Sequence, residues 1–238
     1  MYKKIFLITT EDSPQNSVDR KGFVLNEGIQ KELIGKESLL LFCYTVKTKK
    51  EEGLTESELE NSIFNQNKNI KNLNIYCKDG YQNLADKTFQ SIKWINKNFD
   101  FEYLFKCDDN KYPSETMLKP LGVDFSGCIV TKRRETDEEG KSWWNRNHQE
   151  QGLERCKTSK FSKWALTRNI KVNEYFLDSQ VYYSTWKPYI LSKKFCEVIS
   201  NHGKNYAEYY CKNLGGCEDH MIGKIAKDLE ITFKLTIK

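Results

Sequence analysis

The sequence predicts an α/β fold built on a mostly parallel sheet, and three features of its pattern lead to that prediction. Compact apolar runs at 4–10 and 38–44 are each followed by polar residues, which is typical of buried strands that end in loops. The segment 24–34 between them can form a short helix, so a strand–helix–strand unit is expected. In the segment 83–98, apolar side chains recur at spacings of three and four residues, which predicts a helix with one buried face.

Further elements are predicted along the rest of the chain. They are a polar loop at 47–53, a helix at 56–64, strands at 73–76 and 101–105, a helix at 191–199 capped by Ser192 and ended by Gly203, a helix at 221–229, and a terminal strand at 231–238. The segment 131–160 is charged, and its pattern predicts no definite element.

Length and composition favour one folded domain over the whole range 1–238. The chain is 38% hydrophobic and rich in aromatic residues, which argues against disorder. The net charge of +5 is spread along the sequence, and the basic cluster at 132–134 is followed at once by acidic residues. We interpret this cluster as a solvated loop and expect no nucleic-acid partner.

The sequence carries no apolar run near the ~20 residues that a membrane helix needs, and its start lacks a signal-peptide pattern. We therefore predict a cytoplasmic protein, although a Golgi lumenal domain separated from its anchor would look the same. The eight cysteines contain no C-x-x-C pair, which indicates free, buried thiols.

An acidic cluster, Asp108 and Asp109 followed by Asn110, comes directly after the strand predicted at 101–105. Ligands of open α/β sheets bind outside the carboxyl ends of the strands, so a binding site is one interpretation. A solvated turn would use the same residues, and position alone leaves both open. Trp143 and Trp144 also allow two interpretations: their rings could serve in packing, or they could form a stacking platform for a sugar.

Several blocks of the sequence, in order, resemble the β-1,3-glycosyltransferase family that includes β-1,3-galactosyltransferases, β-1,3-N-acetylglucosaminyltransferases and the Fringe enzymes. The segment 79–88 is similar to the family's D-x-Y-x-N-L-x-x-K-T, and 106–110 stands where the family has K-x-D-D-D. Downstream, 189–192 looks like Y-V-L-S and 218–223 looks like E-D-V-x-x-G. Early in the chain, Arg20 follows the first strand where the family has an arginine.

The resemblance implies a GT-A nucleotide-sugar-binding fold, with 1–110 as the nucleotide-binding part and 111–238 as the acceptor-binding and catalytic part. It also implies a role for each matched residue. The donor is bound by Asp108, Asp109, Arg20, Lys87 and Asn83; Mn²⁺ or Mg²⁺ is held by Asp108 and Asn110; the catalytic carboxylates are Asp219, as the base, and Glu218; the acceptor is contacted by Trp186, Trp143 and Trp144.

Two simpler explanations compete with these roles. Glu218 and Asp219 begin a predicted helix and could merely complement its dipole, and Lys87 could be a solvated helix charge. His220 is expected to be an ordinary helix residue rather than a metal ligand. Asn110 replaces an acid of the family's metal motif, which predicts a weaker metal site because an amide oxygen carries no charge.

The function that follows is an inverting, metal-assisted transfer of a hexose from a UDP-sugar, UDP-galactose or a close relative, to a hydroxyl of an acceptor glycan or glycoconjugate. Such a transfer needs a cation beside the departing diphosphate and a base on the opposite face of the sugar. A non-catalytic or metal-independent binder of carbohydrates or nucleotide sugars with the same fold is the alternative. The sequence does not predict the acceptor, the linkage or the oligomeric state.

Overall fold

The computed structural model describes the following parts of the chain: residues 1–10, 27–34, 37–56, 69–108, 122, 124–131, 182–213 and 218–229. Within them the strands are β1 (Tyr2–Thr9), β2 (Ser38–Val46), β3 (Gly53–Glu56), β4 (Ile70–Tyr76), β5 (Phe101–Asp108), β6 (Phe125–Thr131) and β7 (Tyr182–Ser192). The helices are α1 (Glu27–Ile34), α2 (Leu84–Asn98), α3 (Lys193–Asn213) and α4 (Glu218–Asp228), with short 3₁₀ turns at Lys49–Glu51 and Tyr81–Asn83.

All seven strands form one sheet in the order β3-β4-β2-β1-β5-β7-β6. The four central strands, β4, β2, β1 and β5, pair in parallel, whereas β3, β7 and β6 pair antiparallel to their neighbours at the two sides. The predicted α/β class with a mostly parallel central sheet is therefore confirmed, and the antiparallel strands are an addition to it.

The two faces of the sheet are covered by different helices. Because side chains alternate along a strand, Ile5 and Leu7 of β1 point to one face while Phe6 and Ile8 point to the other. The first face packs against α2, α3 and α4, and the second packs against Ile29 and Leu33 of α1. Near-continuous apolar runs in the central strands follow from burial on both faces.

Several predicted elements are confirmed with small changes in their limits. The sequence pattern predicted the positions of three helices, α1, α2 and α4, and of four strands, β1, β2, β4 and β5. The residue expected to begin a helix at 56–64, Glu56, instead ends β3, which pairs with β4. The remainder of that predicted helix, most of 131–160, and the predicted terminal strand lie outside the described residues.

Helix α3 differs from the prediction at both ends. The strand β7 runs through Leu191 to Ser192, so the helix begins at Lys193, and the Ser192 hydroxyl accepts a bond from the Phe195 N–H at 3.1 Å as the expected cap. The prediction that Gly203 ends the helix is wrong, since α3 continues to Asn213.

Gly203 has a packing role instead. A Cβ atom at this position would lie 2.9 Å from the ring of Phe89 on α2, closer than real Cβ contacts allow. The glycine therefore permits the close approach of α2 and α3.

Cys43, Cys107 and Cys196 are free and buried, as predicted, whereas Cys77 is free but only partly buried. No helix in the described ranges combines the length and the apolar character needed to cross a membrane.

Candidate functional site

The candidate site lies at the carboxyl ends of β1 and β5, where the chain changes direction across the sheet. From β1 the chain first adds β2 and β4 on one side, and later returns to place β5 on the other side of β1. Such a switch point is where open α/β sheets bind ligands. Thr9 and Asp108, the last residues of the two strands, are register partners there.

Lys106 is the buried centre of the site. It is two residues before Asp108, so the alternation along β5 puts both side chains on the same face of the sheet. The Lys106 Nζ donates to Asp108 Oδ1 at 3.0 Å and to Glu218 Oε1 at 3.1 Å, and only 1% of the side chain is exposed. One ammonium therefore joins the end of β5 to the start of α4.

The charge state of Lys106 depends on those two carboxylates. Burial alone lowers the pKa of this ammonium, because water stabilises the charged form. Asp108 and Glu218 outweigh burial and raise the pKa of Lys106 well above its ordinary value. The group is therefore a permanent cation at any physiological pH.

The two acids that begin α4 have different surroundings. Glu218 is buried and paired with Lys106, whereas Asp219 forms no ion pair with any described residue. The Asp219 Oδ1 accepts a hydrogen bond from the backbone N–H of His220 at 2.7 Å. Burial and then the neighbouring Glu218 charge raise the pKa of Asp219 well above its ordinary value.

This difference bears on their chemistry. A carboxylate with a raised pKa and no partner cation can accept a proton, and a carboxylate held in an ion pair accepts one far less readily. These surroundings allow Asp219 to accept a proton and hold Glu218 in its ion pair. The helix dipole also favours both acids at this position, so the simpler explanation holds alongside the site.

Tyr189 of β7 adds a polar group beside these charges. Its ring centroid lies 5.9 Å from the Lys106 Nζ, and its buried hydroxyl has no hydrogen-bond partner among the described residues. Burial and then Glu218 raise the pKa of Tyr189 well above its ordinary value, so the hydroxyl keeps its proton and remains a donor.

Lys87 belongs to α2, and its side chain reaches the end of β1; its role in donor binding stays a prediction. Its Nζ donates to the Thr10 carbonyl at 2.7 Å, and only 6% of the residue is exposed. The alternative interpretation, a solvated helix charge, is therefore wrong. No described carboxylate pairs with this ammonium, so its charge is uncompensated within the described part of the chain.

Asn83 lies in the turn that precedes α2. Its side-chain amide donates to the Asp79 carbonyl at 2.7 Å, and its backbone N–H donates to the Gly80 carbonyl at 2.9 Å. Gly80 has a φ of +100°, a conformation that side chains rarely adopt. The contacts of Asn83 thus hold the turn, and its proposed role toward a donor stays a prediction.

His220 lies within α4 and is buried, with its Nδ1 2.9 Å from the Tyr210 hydroxyl. That environment is the one expected of an ordinary helix residue. The other predicted site residues cannot be placed: Arg20, Asp109, Asn110, Trp143 and Trp144 lie outside the described residues, and so does the side chain of Trp186 in β7.

One of the two predicted metal ligands lies among the described residues. Asp108 offers a hard carboxylate at the end of β5, with 46% of its side chain exposed, and such oxygens suit Mn²⁺ or Mg²⁺. Across the described ranges no three His, Cys, Asp or Glu side chains converge on one point. The second predicted ligand, Asn110, lies beyond the described end of β5.

Sequence reasoning missed Lys106 and Tyr189 as site residues. The available signal was a lysine inside an otherwise apolar strand, two positions before an aspartate on the same face. A charge in a strand that is buried on both sides requires a partner, which would have directed attention to the second acidic segment.

The chain was compared with protein families, curated proteins and solved structures. No protein-family model matches the chain, and no curated protein matches it by sequence. One similar solved structure is a galactosyltransferase, LgtC, in complex with donor and acceptor sugar analogs. It is 10% identical, with a TM-score of 0.49 over 94% of this chain and 70% of that chain.

Another is core-mannan synthase A (CmsA/Ktr4) from Aspergillus fumigatus in its Mn/GDP form. It is 8% identical, with a TM-score of 0.45 over 98% of this chain and 73% of that chain. At such low similarity neither structure transfers an activity or a residue role to this protein.

Proposed function

We propose that this protein is a glycosyltransferase of GT-A type that transfers a hexose from a UDP-sugar to a hydroxyl of an acceptor glycan, with inversion at the anomeric carbon. UDP-galactose is the first donor to test. The segment 1–110 contributes the donor side of the site, and the segment 111–238 contributes the acceptor side and the base.

One observation supports the proposal most directly: two acidic segments that are distant in the sequence both contact the ammonium of Lys106. Asp108 ends β5 at the switch point of the sheet, and Glu218 begins α4 with Asp219 next to it. The transfer needs a donor-side acid and a separate base held near each other, and these segments supply both residue types.

In the proposed reaction Asp219 takes the proton of the acceptor hydroxyl as that oxygen attacks the anomeric carbon of the donor. The bond from that carbon to the diphosphate oxygen breaks, and UDP leaves from the opposite face. The raised pKa of Asp219, due first to burial, suits a base that must accept a proton near neutral pH.

Lys87 binds the diphosphate in this scheme. Its ammonium is buried at the end of β1 without a carboxylate partner among the described residues, so an anion would supply the missing charge. Asp108 and Asn110 are the residues that would hold a divalent metal. When bound, that metal would neutralise charge developing on the departing diphosphate.

The test is a transfer assay with a panel of UDP-sugars and simple glycosides as acceptors. We expect UDP release that depends on the acceptor, and a product whose anomeric configuration, determined by NMR, is opposite to that of the donor. Retention of configuration would contradict the assignment of Asp219 as a base that activates the acceptor.

One observation favours the second candidate, a metal-independent or non-catalytic binder of nucleotide sugars. The Oδ1 of Asp108 already bonds the Lys106 ammonium, and the next predicted ligand is an uncharged asparagine. Slow hydrolysis of a UDP-sugar that disappears in Asp108→Ala would exclude a pure binder. Binding of UDP without release of sugar in the presence of any acceptor would support it.

A further inference from the structure

Lys106 connects the end of β5 to the start of α4, two parts of the chain that are far apart in the sequence. Glu218 follows it by 112 residues, yet both carboxylates that it contacts, Asp108 and Glu218, lie within hydrogen-bond distance of the same nitrogen. A flexible surface lysine would not fix two elements in this way. Because only 1% of the Lys106 side chain is exposed, the residues packed around it restrict its conformation.

The energetics of burial make this ammonium necessary to the arrangement. Glu218 is buried, the Asp108 carboxylate contacts the same ammonium, and Asp219 is the next residue after Glu218. Carboxylates this close repel one another unless a cation lies between them. Removing the Lys106 ammonium would leave Glu218 buried without a cation partner among the described residues, which is far more costly than losing a surface pair. The first turn of α4 would then move toward water.

A movement of the first turn of α4 would also move the proposed base, Asp219. Glu218 and Asp219 are adjacent in the first turn of α4, so a shift of Glu218 displaces Asp219 as well. Proton transfer depends steeply on distance, and a base displaced by about 1 Å can lose on the order of 100-fold in rate.

We propose that Lys106 is a positioning residue that sets the separation of the donor-side carboxylate Asp108 from the base Asp219 through its bond to Glu218. This inference rests on the proposed function for its effect on catalysis, but the ion-pair framework itself can be tested without activity. Lys106 touches neither the donor nor the acceptor in this account.

The test uses Lys106→Ala, which removes three carbons and the ammonium, and then adds propylammonium to fill the space. We expect kcat to fall about 100-fold while KM for the donor changes little, because the base is misplaced and donor binding is largely kept. Propylammonium should restore part of kcat and raise the melting temperature of the variant. The neutral analogue 1-propanol should do neither.

Lys193→Ala is the matched control. The Lys193 ammonium is also partly buried and donates to the Asn96 and Phe99 carbonyls, but it contacts the Phe101 ring at the opposite end of β5. We expect this variant to lose stability with kcat unchanged, and propylammonium to leave its kcat unchanged.

The outcomes separate this inference from the proposed function. A wild-type protein without transfer activity, together with a melting temperature of Lys106→Ala that propylammonium restores, would contradict the function and retain the framework. An active wild type whose Lys106→Ala variant keeps its kcat, or responds equally to 1-propanol, would overturn the positioning role. If Lys106→Ala does not fold, Lys106→Arg serves in its place, with loss of kcat at unchanged donor KM as the supporting result and unchanged kcat as the contrary one.

Discussion

The ammonium of Lys106 lies 3.1 Å from the carboxylate of Glu218, although the two residues are 112 positions apart. Their contact brings the start of α4 to the carboxyl end of β5. It places Asp219, the residue proposed as the base, in the same charged cluster as Asp108, and Asp108 and Lys106 both influence the pKa of Asp219.

Asp219→Asn should abolish transfer without weakening the binding of UDP. The amide cannot accept the hydroxyl proton, and general-base catalysis contributes roughly 10²- to 10⁴-fold, so kcat should fall by that order. The measurement is kcat together with the UDP dependence of the melting temperature. The control is Asp228→Asn at the other end of α4, which should leave kcat unchanged.

The same substitution should change how stability depends on pH. The folded-state pKa of Asp219 is raised above 3.8 by burial and by Glu218, so the folded protein binds a proton that the unfolded chain has already lost. Stability contributed by this group therefore falls as the pH rises above about 4. Asp219→Asn should be more stable than the wild type at neutral pH, with a difference that disappears toward pH 4 in denaturant titrations. A constant difference over that range would contradict the raised pKa.

Lys87→Met should weaken donor binding rather than the chemical step. The ammonium is held against the Thr10 carbonyl at the end of β1, where the proposed diphosphate lies. Loss of a charge-assisted bond of this kind costs roughly 1.5–3 kcal/mol, which corresponds to about a 10- to 150-fold rise in KM for the UDP-sugar. The control is Lys97→Met, on the exposed side of the same helix, which should leave KM unchanged. If both substitutions raised KM equally, Lys87 would have no specific role in donor binding.

Gly203→Ala should destabilise the protein although alanine is the better helix former. The added methyl group would meet the buried Phe89 ring at 2.9 Å, and overpacking of this kind costs roughly 1–3 kcal/mol. Chemical denaturation measures the loss. The double variant Gly203→Ala with Phe89→Leu should recover part of it, and a purely additive double variant would show that the ring contact is not the cause.

The sequence predicted the central sheet well because its strands are buried on both faces and appear as apolar runs, as at Leu39 to Cys43. It did not predict β7, because a helix was expected to include Leu191 and Ser192, which are the last two residues of this strand. The extent of α3 was also missed. A glycine can end a helix or can lie inside one where a neighbouring helix comes close, as Gly203 does beside Phe89 of α2, and the local sequence does not distinguish the two cases.

For the site, the sequence blocks predicted roles for Asp108, Lys87 and Asp219, but they did not indicate which groups contact each other. The bond from Lys106 to Glu218 depends on how α4 packs against β7 and β5, which is a tertiary property. Local sequence patterns indicate which side chains are buried and whether a segment is a helix or a strand. They do not indicate which residues contact each other across a separation of 112 positions.

The central claim is that the ends of β1 and β5 and the start of α4 form one nucleotide-sugar site. Its most direct test is the melting temperature of the wild type and of Asp108→Ala with increasing UDP in the presence of Mn²⁺, with Asp100→Ala, an exposed acid just before β5, as the control. The account predicts a rise that grows with UDP concentration in the wild type and in Asp100→Ala, and that is lost in Asp108→Ala. No UDP-dependent rise in the wild type at any Mn²⁺ concentration, or an undiminished rise in Asp108→Ala, would contradict it.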